Sequence, residues 1–172
     1  MRLFVGVVPP WEIIESLREI KRPSIDGVRW TPENNWHITL RFLGEVQDPG
    51  LTIERLFQIK YPPLEVHLGP QTEILNRRIL YLPVHGLAEL ATLVQNATAD
   101  IETPSASHGS EFLGHLTLAR VKSSVAGLRH AAGIPFKATW TVKEFQLIQS
   151  TVSNQGSKYT PLKIFPLQRA TG

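Results

Sequence analysis

The chain has 172 residues, 42% hydrophobic and 19% charged, the balance of a folded globular protein rather than a disordered one. It contains no cysteine, which excludes disulfides, thiol chemistry and thiolate metal sites, and no apolar run reaches the roughly 18 residues that a membrane span needs. The net charge of +3 is unevenly spread: residues 1–111 hold 10 Lys/Arg against 14 Asp/Glu, and residues 112–172 hold 8 against Glu144 alone.

That basic final third points either to an anionic partner such as nucleic acid or to a solvated face. With no signal-peptide layout at the N-terminus, a cytoplasmic protein is the expectation. In chain order, residues 2–8 are short, apolar and β-branched and read as a buried strand ended by Pro9-Pro10. Trp11, Ile14, Leu17 and Arg18 then recur at helical spacing, with Ile13 and Ile20 nearby and Pro23 closing the segment. Val28–Trp30 and Trp36–Leu43 read as strands on either side of a Pro32-Glu33-Asn34-Asn35 turn. A short helix is predicted from Pro49 to Lys60, strands over Leu64–Leu68 and Ile79–Val84, and a second main helix over Gly86–Ile101. Thr103–Ser110 is the most loop-like stretch. Strands follow at 112–120, 136–149 and 158–165, with Pro161 expected to break the last. Helices interleaved with hairpin-like strands argue an α+β fold with largely antiparallel sheets.

One internal repeat carries the chemistry. Trp36-His37-Ile38-Thr39-Leu40-Arg41-Phe42-Leu43 returns as Gly114-His115-Leu116-Thr117-Leu118-Ala119-Arg120-Val121, each copy holding His-apolar-Thr-Leu inside an apolar run. Alternate side chains of a strand share a face, so His37 and Thr39 project together, as do His115 and Thr117, each pair about 7 Å apart along the backbone. Two such strands facing a groove supply what phosphoryl transfer needs. A neutral imidazole takes a proton from the attacking oxygen and a protonated one gives a proton to the leaving oxygen. The threonine hydroxyls donate to the non-bridging phosphate oxygens. Neither triplet has an Asp or Glu at ligand spacing, so a metal centre is not expected. Arg41 shares the His37 face by parity, which puts it either in the groove or on its solvated rim. Phe42 and Arg120 stand five positions after their histidines, and strict alternation turns both towards the core unless the strands bend or end there.

At these residues the chain resembles the 2H phosphoesterase superfamily, and within it the RNA 2′,3′-cyclic phosphodiesterases, also called 2′-5′ RNA ligases or LigT-like proteins. The resemblance extends from the opening Met1–Val7 strand, through His37–Gly44 and Phe112–Arg120, to Leu147–Ser150, Gly156, Tyr159 and Phe165–Leu167. Gly114 departs from the family, which often has proline before the second histidine.

The resemblance implies one bilobal α+β domain over residues 1–172, with two pseudo-symmetric lobes of largely antiparallel sheet flanked by helices around a central groove. It further implies metal- and cofactor-free opening of a terminal 2′,3′-cyclic phosphate to a 2′-phosphomonoester, with reversible 2′-5′ ligation as a companion reaction. His115 would be the base, His37 the acid, Thr39 and Thr117 phosphate donors, and Phe42 and Arg120 holders of the terminal nucleotide. Ser150 and Tyr159 read as supports of the fold. The partners expected are RNA ends or small cyclic-phosphate nucleotides, with no membrane and no obligate protein partner, so a monomer. The alternatives are a relative acting on another phosphodiester (a cyclic nucleotide, ADP-ribose cyclic phosphate or 2′-5′ oligoadenylate) and a non-catalytic RNA-binding module.

Overall fold

The two strands that carry the repeat lie side by side at the middle of a ten-stranded sheet. The computed structural model describes residues 1–101, 111–122 and 126–170; the predicted loop Thr103–Ser110 lies outside them. The first half of the chain runs β1 (Arg2–Val7), α1 (Trp11–Arg18), β2 (Val28–Trp30), a 3₁₀ turn (Glu33–Asn35), β3 (Ile38–Glu45) and α2 (Pro49–Phe57). Then come β4 (Leu64–Leu68), β5 (Glu73–Leu75), β6 (Ile79–His85), α3 (Ala88–Ala97) and β7 (His115–Val121). The chain finishes with α4 (Ala126–Arg129), β8 (Ala138–Val142), β9 (Glu144–Ser153) and β10 (Gly156–Pro166).

Strand order is β10-β9-β1-β3-β7-β6-β4-β8, with β2 beside β7 and β5 beside β6. The pairings are antiparallel. The order has a symmetry that the sequence repeat foreshadows. A strand, a helix and a returning neighbour strand occur twice, as β1-α1-β3 and as β6-α3-β7, and the two returning strands meet at the centre. Each half sends its helix to the other: α1 packs on β8 and α3 packs on β3. Leu17 of α1, Leu90 and Val94 of α3 and Leu56 of α2 share one buried cluster with Val5, Ile38, Leu43, Leu82 and Leu116 from the sheet.

Three expectations change. The buried stripe of α1 is Ile13 and Leu17, continued by Ile20, because aliphatics at i, i+4 and i+7 form a single face. Trp11 is left 57% exposed, with the Arg18 guanidinium 4.5 Å above its ring. The segment 136–149 divides at Lys143, and β8 and β9 go to opposite ends of the sheet. Pro161 does not break its strand. β10 is an edge strand, where a missing N–H costs little, and a bulge between Pro161 and Lys163 absorbs the misfit. The three-residue β5 gave no sequence signal of its own.

Candidate active site

β3 and β7 touch through one register pair, Ile38 opposite Leu116, the central residues of the two His-x-Thr triplets. Both side chains are fully buried, and the row continues outward to Val7 on one side and Leu82 on the other. Since directly opposed residues share a face, the flanking His37, Thr39, His115 and Thr117 all project to the opposite face. There they line a groove of about 910 Å³, together with Phe4, Asn35, Phe42, Arg120, Ser150 and Tyr159 among others. The four residues of the repeat are thus brought to one place by the pairing of two buried aliphatic residues.

The offset of five is explained by a bulge in each strand. Along β3 the register skips Leu40 between the Thr39–Gly6 and Arg41–Val5 pairs, and along β7 it skips Leu118 between Thr117–Tyr81 and Ala119–Leu80. These are equivalent positions, three after each histidine. A bulge adds one residue and so inverts the parity beyond it. Phe42, 49% exposed, and the exposed Arg120 therefore return to the histidine face and line the groove.

The same inversion moves Arg41 off that face. Its guanidinium donates to the Gln95 and Ile101 carbonyls and to Thr98 Oγ1 at 2.7, 3.1 and 2.7 Å, tying the end of α3 to the turn that follows it. Arg41 is a cap of α3, not a groove residue.

Both histidines are oriented in the same way. His37 Nδ1–H donates to the Asn35 carbonyl at 2.7 Å, and His115 Nδ1–H to the Leu113 carbonyl at 2.9 Å, each two residues upstream. A carbonyl can only accept, so the proton sits on Nδ1 and the neutral ring presents Nε2 for chemistry. The Thr39 hydroxyl donates to His37 Nε2 at 2.9 Å.

The surroundings differ between the two. Phe4 lies 4.8 Å from His37 and Tyr159 stands edge-on at 5.0 Å, a partly buried aromatic setting. Burial pushes the His37 pKa below its usual 6.5; the Asn35 carbonyl opposes this, and the nearby His115 and Arg120 charges add to the lowering. Tyr81 meets His115 in an edge-to-face pair at 5.9 Å, and the Tyr81 hydroxyl donates to Glu73 Oε2 at 3.0 Å. Burial, then that bond, raises the Tyr81 pKa above its usual 10.

Gly114, the departure from the family pattern, is fitted to its place. A Cβ there would lie 2.3 Å from the Val84 carbonyl oxygen, and the Gly114 carbonyl accepts from Val84 N at 3.0 Å. The close approach of β6 fixes the strand just before His115. Residues that sequence reasoning did not place in the groove include Phe4, Asn35 and the pair Ser150 and Tyr159, the last two read as fold supports. The available signal was parity: Ser150 with Val152, and Ser157 with Tyr159, alternate on facing strands and all four line the groove. Among the described residues, no three His, Asp or Glu side chains gather in a way that could hold a metal ion.

Two His-x-Thr triplets thus face one groove from adjacent central strands, in a chain of mainly antiparallel sheet. The LigT like Phosphoesterase family model matches residues 7–69. An Escherichia coli RNA 2′,3′-cyclic phosphodiesterase is 30% identical over 96% of this chain and 96% of its own, and an Archaeoglobus fulgidus one is 28% identical over 96% and 99%. The chain belongs to the LigT-like phosphoesterases. The solved structure of E. coli LigT complexed with 3′-AMP superposes with a TM-score of 0.79 at 28% identity, covering 98% of each chain. A Thermus thermophilus protein superposes with a TM-score of 0.82 at 26% identity, over 99% of this chain and all of its own.

Proposed function

We propose that this protein is an RNA 2′,3′-cyclic phosphodiesterase that opens a terminal cyclic phosphate to a 2′-phosphomonoester, and that it acts as a cytoplasmic monomer with both lobes in one domain. The observation that carries the reading is the Ile38–Leu116 pair, which sets two Nε2 atoms and two threonine hydroxyls on one groove wall. As both triplets belong to a single chain, one copy completes the site.

In this reading, water attacks phosphorus as its proton passes to His115 Nε2. The P–O3′ bond breaks, and O3′ takes the proton that His37 carries on Nε2. The Thr39 and Thr117 hydroxyls and Arg120 oppose the charge that builds on the non-bridging oxygens. At rest His37 is held neutral by burial and by the cationic groups beside it. An anionic phosphate set among those groups cancels their repulsion, so the substrate itself helps to protonate its acid. With a ribose 5′-hydroxyl in place of water the same step joins two RNA ends 2′-5′, and its reversal exchanges the two histidines' duties.

The test is incubation with an oligonucleotide ending in a 2′,3′-cyclic phosphate, in the presence of EDTA, followed by product analysis. Conversion to the 2′-phosphate is expected. Retention of the cyclic end would sink the reading, and a 3′-phosphate product would reverse the assignment of the leaving oxygen. Parallel rates on small cyclic nucleotides and 2′-5′ oligoadenylate separate an RNA enzyme from a relative with another substrate.

A further inference from the structure

The basic final third of the chain supplies just one cation to the groove wall. Of its Lys and Arg side chains only Arg120 lines it; Lys163, for example, lies over Phe57 of α2. Around Arg120 stand arginines from the net-acidic first part. Arg29 of β2 sits directly opposite Arg120 in the β2–β7 register, and Ile79 of β6 sits opposite Arg120 on the other side. Like charges in direct cross-strand register repel, so the pair is unfavourable until an anion joins it. Arg29 is seated against Gly156, where any Cβ would lie 2.4 Å from its Nη2, and that Nη2 donates to the Gln155 carbonyl at 3.2 Å.

Next to Ile79 is a second oddity. The turn Leu75–Arg78, closed by Arg78 N–H to the Leu75 carbonyl at 3.1 Å, has both central residues at positive φ: Asn76 at 50° and Arg77 at 60°. This is the type I′ pattern, in which glycine ordinarily fills the second central position. Here it is an exposed arginine followed by another, Arg78. The residues flanking the tip, Leu75 and Ile79, line the groove, so the tip stands at its edge. Among the ion pairs of the described residues none engages Arg29, Arg77, Arg78 or Arg120. The nearby Glu73 is bound to the Tyr81 hydroxyl, and Asp26 pairs with none of them.

We propose that Arg29, Arg77 and Arg78 continue outward from Arg120 as a landing track for the backbone phosphates of the RNA behind its reacting end. The proposal rests on the RNA-end reading and adds a direction to it: the body of the substrate leaves the groove over β2, β7 and the β5–β6 turn. The reacting phosphate is held at the centre whatever the substrate length, whereas the track is felt only by a polynucleotide.

The test compares the wild-type protein, R77E/R78E and Arg77→Gly in binding a fluorescent 3′-phosphorylated mononucleotide and a long RNA oligonucleotide across a salt series. Mononucleotide affinity should be unchanged. Oligonucleotide affinity at low salt should fall on the order of 3- to 10-fold in R77E/R78E, and the slope of log K against log salt should shrink by about 0.7 for each backbone phosphate that is no longer neutralised. Arg77→Gly is the decisive variant: it suits the turn better, so thermal stability should hold or rise while oligonucleotide affinity drops. Equal effects on both ligands, or none on the oligonucleotide, would overturn the track. Binding is read without turnover, so failure of the cyclic-phosphate assay falls on the catalytic reading alone.

Discussion

The ring of Tyr159 stands perpendicular to that of His37, at 89° with 5.0 Å between centroids, and so shields from water an imidazole whose pKa burial pushes down. Tyr159→Ala should therefore let water reach His37 and raise its pKa towards 6.5, whereas Tyr159→Phe should leave it in place. The imidazole Cε1–H signal followed by NMR across pH measures this. Unchanged titration in Tyr159→Ala would mean that Phe4 and the strand below supply the burial.

The same burial links folding to pH. Unfolded, His37 titrates near 6.5; folded, it titrates lower, so between the two values the unfolded chain binds the extra proton. Stability from this group is full above 6.5 and is lost as pH falls through the folded pKa. Urea midpoints taken between about pH 7.5 and about pH 5 should fall further for the wild type than for His37→Gln.

If the proposed mechanism holds, replacing either triplet histidine should remove turnover and leave the fold. His37→Ala or His115→Ala is expected to lower kcat by about 10²- to 10⁴-fold, with thermal melting close to wild type. Thr39→Val and Thr117→Val, each losing one donor to a charged phosphate, should cost roughly 10- to 100-fold in kcat/KM. Comparable turnover in either histidine variant would strip the imidazoles of their role.

Arg41 and Arg120, each close behind a His-x-Thr triplet, should separate cleanly. Arg41→Ala removes one donor from the Gln95 carbonyl, from Thr98 Oγ1 and from the Ile101 carbonyl beyond α3, and should cost about 1–3 kcal/mol of stability, with KM unaffected. Arg120→Gln should weaken binding of phosphate-bearing ligands with little change in melting temperature. It should also raise the His37 pKa by removing a neighbouring charge.

At Gly114 the prediction concerns packing. Gly114→Ala drives a Cβ into the Val84 carbonyl, so β6 and β7 must part or shift, at a cost of about 1–3 kcal/mol. Because His115 follows immediately, kcat should drop as well. Denaturation and kinetics on the one variant check both.

What was legible in the sequence follows from which features have a local signature. The His-x-Thr repeat, the strand it sits in and the α+β alternation are periodic and short-range, and the structure places all of them as read. The faces of Arg41, Phe42 and Arg120 were not legible by alternation, because a bulge leaves no mark in composition. Only the partner strand reveals that Leu40 and Leu118 are skipped. Tyr159 and Ser150 escaped for a related reason: they reach the groove through a hairpin that pairs with β1 from the far end of the chain, a non-local contact that no window of residues reports. Arg29 and Arg120 are 91 residues apart, and their opposition is likewise visible only once β2 lies against β7.

The crossed packing of the helices, α1 on β8 and α3 on β3, limits how this groove can behave as a machine. The two halves cannot swing apart about the Ile38–Leu116 seam without pulling each helix from the strand of the other half. Such a clamp has no cheap open state. On the proposed function, a substrate must then fit a jaw of fixed gape, its base met by flat walls such as Phe42 rather than by closure around it.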